Sequence, residues 1–229
     1  MGDDWQSSTG EVVHPNAPRG GGGPGGFRSA RQYGDEAQTH GLPHPNSPAG
    51  RNAVMSPAQA RFLQAHEAKL KFNELNAAAA VSYVQSKMTV GAANKGEDIL
   101  LTLGGSLSCV ADEREYAKQQ GWDSLPIEER LRNVAALAEE KGCGNCGEQS
   151  AMAFVYLLDR HILPLDWMGL ESGKHNYVVV GRTRHGEPGD PNTWGPEAVV
   201  CDPWKGEAYS PKMLIPYWDS KPTLLYPVG

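Results

Sequence analysis

The sequence predicts an α+β protein in which helices pack on one face of a small antiparallel sheet. Apolar residues recur with helical spacing between residues 57 and 158. Two later runs, "HNYVVVG" and "EAVVCDPW", are short and rich in β-branched residues, which is typical of strands. No internal repeat is visible, and 229 residues leave room for one domain of ordinary size and a tail.

The first 55 residues differ in composition from the rest of the chain. They include "PRGGGGPGG" and "HGLPHPNSPAG" and have almost no periodic apolar pattern. Such a segment buries too little apolar surface to offset its ordering entropy. We therefore expect a disordered Gly/Pro-rich leader over residues 1–55 and a folded domain over residues 56–229.

Four segments carry helix or mixed signals. Ser56 and Pro57 form a helix-start signal, and the following run has an amphipathic stripe. "DILLTLGGSLSC" is compatible with a short helix or a strand. A second amphipathic pattern covers residues 127–141 and is closed by Gly142, and a third begins near Cys146. The three stripes consist of Leu63, Leu70, Ala77, Val81, Val84 and Met88; Ile127, Leu131, Val134 and Ala138; and Ala151, Phe154, Val155 and Leu158.

Composition excludes several classes of function. The net charge of -6, the pI of about 5.6 and the lack of basic clusters argue against a nucleic-acid binder. No apolar stretch approaches the roughly 20 residues of a membrane span. The acidic opening "MGDDWQSSTG" does not resemble a secretory signal. The expected partner is a protein or a small molecule.

The cysteines of "CGNC" admit three interpretations. Four cysteines are too few for a disulfide scaffold in a chain of this length, so we expect thiol chemistry in a reducing compartment. The motif has the form of a redox dithiol, although it follows a charged helix end instead of a core strand. A zinc site is only half specified because no second paired motif exists. Its further ligands would be Cys201 with His161 or His175.

The third interpretation makes Cys146 a nucleophile. A thiol at the start of a helix lies near unpaired N–H groups and the positive end of the dipole, which favour the thiolate. Small neighbours such as Gly147 leave room for a substrate carbonyl. His175 begins one predicted strand and Asp202 ends the next, so antiparallel pairing would bring this base and its orienting carboxylate together.

Two other aspartates compete with Asp202 as the partner of His175. Asp190 lies in a Gly/Pro-rich loop, where a carboxylate is held less rigidly than at a strand end. Asp166 lies close to Pro164, and we expect it to start a turn. Asp202 is therefore the preferred orienter.

The motifs "GNCGE", "KHNYVVVG" and "VVCDPW", within residues 125–210, resemble the papain-like and transglutaminase-like superfamily of cysteine enzymes. The resemblance implies a Cys-bearing helix packed on a small antiparallel sheet, and no cofactor. It also implies that Cys146 is the nucleophile, that His175 is general base and acid, and that Asp202 holds the imidazole. "CGNC" is similar to the CGSC of papain-type enzymes, in which the second cysteine reacts.

The chain departs from the papain pattern six residues before the nucleophile. Papain-type enzymes have a glutamine there for the oxyanion hole, whereas this chain has Glu140. An ionised carboxylate has no proton to donate. We therefore expect the oxyanion donors to be the Cys146 N–H and a side chain such as Asn145 or Gln149.

The length of the chain, its Gly/Pro-rich leader and the order of its Cys, His and Asp motifs also resemble bacterial secreted effectors that are proteases or amide deamidases. The resemblance implies a toxin secreted by a non-classical route, or otherwise a cytoplasmic protein. Its substrate would be a protein of a host or competitor cell, and an immunity protein or chaperone would be a further partner. Glutamine or asparagine deamidation and peptide cleavage rank equally, ahead of transglutamination. The alternative is a non-enzymatic, redox or zinc-binding module that uses the CGNC pair.

Overall fold

The computed structural model describes residues 55–229, apart from the side chains of residues 215 and 216. The chain divides into two units, Met1–Leu63 and Gln64–Gly229. The predicted leader lies outside the described residues except for its last position. The described part of the first unit is the beginning of a long helix, where Ser56 N donates to Gln59 Oε1 at 2.8 Å.

Three helices lie where the apolar stripes predict them, and the ambiguous "DILLTLGGSLSC" lies in two further helices. The short helix Leu214–Trp218 had no signal in the sequence. None of the helices in residues 55–229 is long and apolar enough to cross a membrane. The α-helices are α1 Pro57–Lys87, α2 Gly96–Leu101, α3 Gly105–Gln119, α4 Ile127–Lys141, α5 Cys146–Leu158 and α6 Leu214–Trp218. Short 3₁₀ turns occur at Trp122–Ser124, Pro191–Thr193 and Pro211–Met213.

Gly142 ends α4 as predicted, and its backbone has a φ of +72°. A Cβ atom at this position would lie 2.3 Å from the Thr89 hydroxyl, so the residue must also be small. The left-handed conformation turns the chain sharply into the next segment. This turn places the start of α5 beside the loop that follows α1, where Val90 N donates to Gly142 O at 2.8 Å.

The strands form one antiparallel five-stranded sheet with the order β4-β3-β2-β1-β5. The α+β class and the small antiparallel sheet are therefore confirmed, and the two predicted strands are the neighbours β2 and β3. The sequence did not separately indicate the other three. The strands are β1 Leu165–Leu170, β2 Asn176–Val180, β3 Val199–Asp202, β4 Glu207–Tyr209 and β5 Pro222–Val228.

Helices cover one face of the sheet. On that face Trp167 of β1 donates from its indole N–H to Ser150 Oγ of α5 at 2.9 Å. Cys201 of β3 lies against α1, with its Sγ 3.5 Å from Ala77 O. The opposite face is also apolar and packs against the β2–β3 connection and the start of α6. That cluster consists of Met168, Leu170, Tyr177, Val179, Trp194, Ala198, Val200 and Leu214.

Asp166 does not start a turn, so that prediction is wrong. It lies inside β1, is fully buried, and its carboxylate forms an ion pair with Arg182 Nε at 2.6 Å and a second one with Arg184. A charged residue is tolerated inside a buried strand when its charge is paired. The two arginines follow β2, so the pairing links the start of the β2–β3 connection to β1.

Candidate active site

The structure brings His175 and Asp202 into direct contact. His175 Nε2 lies 2.8 Å from Asp202 Oδ2, and the two side chains are 1% and 0% exposed. The contact follows from strand pairing, because β2 and β3 are antiparallel and Val178 is paired with Cys201. His175 directly precedes β2 and Asp202 ends β3, so they meet at one end of the sheet, as the strand argument predicts.

Further hydrogen bonds fix the Asp202 carboxylate. Lys205 N donates to Oδ1 at 3.0 Å, and the Tyr209 hydroxyl donates to Oδ2 at 3.1 Å. Burial, together with the nearby Asp202 charge, raises the pKa of Tyr209, so this phenol stays protonated and remains a donor. Each carboxylate oxygen thus has a defined partner, and the side chain is held in one orientation toward His175.

Cys146 lies at the N-terminus of α5, next to the start of the His175 strand. Its Sγ is 3.9 Å from the carbonyl oxygen of Lys174, the residue that precedes His175, and the side chain is 8% exposed. Because Nε2 of His175 is bound to Asp202, Nδ1 is the ring nitrogen that can exchange a proton with a substrate or a thiol.

A capping box stabilises the helix start that carries the thiol. Asn145 is the N-cap, and its backbone N–H donates to the Glu148 carboxylate at 2.9 Å. The same carboxylate pairs with Arg114 Nε of α3 at 3.0 Å. Capping of this kind satisfies backbone donors that a helix start leaves unpaired. The position of Cys146 is therefore defined from both α5 and α3.

The two side chains expected as oxyanion donors are both buried beside the thiol. Asn145 is 4% exposed, and its Oδ1 accepts from Asn94 N at 3.2 Å. Gln149 is 2% exposed, and its amide nitrogen donates to Gly144 O at 2.7 Å. Glu140 is instead exposed at the end of α4, where it pairs with the neighbouring lysine.

Aromatic side chains enclose the imidazole of His175. The Trp218 ring stacks on it with a centroid distance of 3.8 Å and an interplanar angle of 19°. Trp204 packs edge-on at 5.6 Å, and its indole N–H donates to Asn94 Oδ1 at 2.8 Å. Asn94 thereby contacts both the residue before the thiol, Asn145, and an aromatic residue that follows Asp202.

Sequence reasoning did not assign a role to these enclosing residues. Trp204 was within the motif "VVCDPW", so its position next to Asp202 was an available signal. Trp218 lies in α6 and Asn94 in the loop before α2. Both are distant along the chain from the motif residues, and only the fold places them at the site.

The two cysteines of CGNC do not act together, as both the redox and the zinc interpretations require. Cys143 forms a disulfide with Cys109 across 34 residues, whereas Cys146 and Cys201 are not disulfide-bonded. CGNC is therefore not a redox pair in this structure, and two of the cysteines are used in a crosslink that the sequence did not indicate.

The zinc ligands suggested by the sequence are not gathered together. Cys201 is fully buried between α1 and the sheet, and burial raises the pKa of its thiol. His161 is exposed in the turn after α5, while His175 is bound to Asp202. Among residues 55–229, the group of three or more possible ligands that the structure brings together consists of Cys109, Glu113 and Cys143.

The competing aspartates have other partners. Asp166 binds the two arginines described above. Asp190 caps the 3₁₀ turn Pro191–Thr193, with Oδ1 accepting from Asn192 N at 3.0 Å. Asp202 is the aspartate in contact with His175.

Comparison of the chain with models of protein families, with curated proteins and with solved structures finds no match.

Proposed function

We propose that this chain is a thiol enzyme with a papain-like or transglutaminase-like core that acts on amide bonds of a target protein. The observation that carries the proposal is the buried His175–Asp202 pair, with Cys146, which is not disulfide-bonded, at the adjoining helix start. Nucleophile, base and orienting carboxylate in this order support acyl transfer through a covalent intermediate.

Each residue has a defined role in the proposed reaction. The Cys146 sulfur attacks the amide carbon, and its proton passes to Nδ1 of His175. The imidazolium, stabilised by Asp202, then protonates the leaving nitrogen as the C–N bond breaks. Water, activated by His175, hydrolyses the thioester and regenerates the thiol. Ammonia leaves if the substrate is a side-chain amide, and an amine leaves if it is a peptide bond.

The developing negative charge on the substrate oxygen requires hydrogen-bond donors. The backbone N–H of Cys146, at the start of the helix, is the first proposed donor. Asn145 and Gln149 are the neighbouring side-chain amides and remain the proposed additional donors. The exposed position of Glu140 agrees with its exclusion from this role.

The substrate and setting are proposed from the resemblance to bacterial effectors. Deamidation of glutamine or asparagine and cleavage of a peptide bond share the same acyl-enzyme, and transglutamination replaces the water with an amine. The proposed setting is a toxin secreted by a non-classical route into a host or competitor cell. An immunity protein or chaperone would be its second partner.

Alkylation with iodoacetamide tests the proposed nucleophile, because Cys201 is a second cysteine outside the disulfide and serves as an internal control. Peptide mapping after short exposure at near-neutral pH should find carbamidomethylation at Cys146 well before Cys201. His175→Gln should slow labelling of Cys146 and leave that of Cys201 unchanged. Equal labelling of the two thiols, or a Cys146 rate that does not respond to His175→Gln, contradicts the proposal.

Mass spectrometry of protein substrates separates the reactions. Incubation with glutamine- and asparagine-containing proteins should yield an acid in place of an amide, or defined fragments, or amine adducts when a primary amine is added. Each product should vanish with Cys146→Ala. A product that persists with Cys146→Ala would assign the chemistry to another residue or to a contaminant.

A further inference from the structure

The disulfide between Cys109 and Cys143 has a carboxyl group beside it. A ligand atom of Glu113 and the sulfur atoms of both cysteines lie within 4.8 Å of one another. Glu113 is four residues after Cys109 in α3, so the two side chains share one face of the helix. The cluster joins the segment that leads into α5 to α3 and shares no residue with the His175–Asp202 pair.

Glu113 has no hydrogen-bond partner although it is buried. The side chain is 5% exposed, and both carboxyl oxygens lack a partner in the structure. The neighbouring carboxylate of Glu148 is already paired with Arg114 and with the backbone of Asn145. An unpaired buried carboxyl group is costly, so such a group calls for a ligand or a functional explanation.

We propose that the reduced form of the protein binds Zn²⁺ through the thiolates of Cys109 and Cys143 and the carboxylate of Glu113. Two sulfur ligands and one oxygen ligand are a donor set that zinc accepts. Cys143 is fully buried, whereas Cys109 is partly exposed, so a water molecule can occupy the fourth position from the Cys109 side.

The geometry permits both the disulfide and the metal-bound form. The Cα atoms of the two cysteines are 6.2 Å apart. Zinc–sulfur bonds of about 2.3 Å in a tetrahedral site require the sulfur atoms to separate by rotation of the side chains, while the backbone can stay in place. Reduction by a dithiol breaks the S–S bond, adds two electrons and two protons to the cysteines, and oxidises the reductant to its own disulfide. Zinc then displaces both thiol protons to solvent.

The metal would replace the lost crosslink. Cys143 is bridged to Gly91 and lies three residues before Cys146, and the disulfide joins this segment to α3. In a reducing compartment the disulfide opens. Zinc on the same residues would keep the segment attached to α3, so the inference predicts a protein whose fold is held by a disulfide or by zinc, according to its surroundings.

The test uses the full chain reduced with a phosphine and titrated with cobalt(II) or zinc. Cobalt is the reporter, because the thiolate-to-cobalt charge-transfer absorption requires sulfur ligands. Cobalt bound by histidines elsewhere in the chain does not produce this absorption. The reduced wild type should bind one equivalent of cobalt with this absorption, and zinc should displace it. The oxidised protein should show no such absorption.

Three variants identify the ligands. Glu113→Gln should weaken zinc binding at least tenfold in a chelator competition, and Cys109→Ser should abolish the charge-transfer band. Cys146→Ala is the matched control and should bind as the wild type does. The inference is overturned if the reduced wild type shows no charge-transfer band, if Glu113→Gln binds as tightly as the wild type, or if Cys146→Ala is the variant that loses the metal.

Discussion

Replacing Glu113 with glutamine in the disulfide-bonded protein should make the fold more stable at neutral pH. Burial, followed by repulsion from Glu148, raises the pKa of Glu113 from 4.5 to about 8, against smaller opposing effects of Arg114 and Lys141. Between these two values the native state keeps a proton that the unfolded chain releases. The free energy of unfolding of the wild type therefore falls as pH rises through this window.

The size of the effect follows from the pKa shift. Each pH unit between the unfolded and folded pKa values corresponds to about 1.4 kcal/mol of unfolding free energy. At pH 7 the wild type should therefore be about 3 kcal/mol less stable than Glu113→Gln, which has nearly the same shape and no charge to gain. Near pH 4.5 the difference should shrink to less than about 0.5 kcal/mol, because Glu113 is then neutral in the native state and only half ionised in the unfolded chain.

Urea unfolding without reductant, at a series of pH values from 4.5 to 8, measures this difference. Glu140→Gln is the control, since the Glu140 side chain is 69% exposed. The free energy of unfolding of this variant should equal that of the wild type at each pH. A Glu113→Gln protein that is no more stable than the wild type at pH 7, or whose difference does not change with pH, would refute the reasoning about the buried carboxyl group.

Asp202→Asn should lower turnover of an amide substrate about 10²–10⁴-fold while the protein stays folded, because the imidazole loses its orienting charge. Asp190→Asn should change turnover by less than about threefold in the same assay, and the reverse ranking would contradict the site. Asp166→Asn should cost about 3–5 kcal/mol of unfolding free energy by leaving the buried Arg182 unpaired, and urea unfolding that detects no loss would contradict this. Gly181→Ala should lower the free energy of unfolding by about 1–3 kcal/mol, because the φ at this position is +79° and the new Cβ would lie 2.1 Å from the side-chain nitrogen of Asn73. An unchanged melting temperature would contradict this prediction.

Three of the helices and two strands could be predicted because their sequence patterns are local. The stripe of α4 and its closing glycine need no tertiary information, and the β-branched runs of β2 and β3 are short and uninterrupted. The contact between His175 and Asp202 followed from antiparallel pairing of these two runs. That part of the site was predictable because each residue lies at a strand end.

The rest depends on contacts that no local pattern records. The β1 sequence "LDWMGL" contains Asp166, whose charge is acceptable only because arginines from a later segment pair with it. The disulfide joins Cys109 to a residue 34 positions later, and sequence spacing does not specify such pairings. Trp218, which stacks on His175, is contributed by a five-residue helix near the C-terminus.

The pairing of β2 with β3 makes the candidate site sensitive to insertions and deletions as well as to substitutions. Side chains alternate between the faces of a sheet. Val178 and Cys201 are paired on the face that the helices cover, so His175 and Asp202 both lie on the opposite face. Removing one residue from β3 would turn Asp202 toward the helices and away from the imidazole. Length variation is therefore expected to be excluded from these two strands.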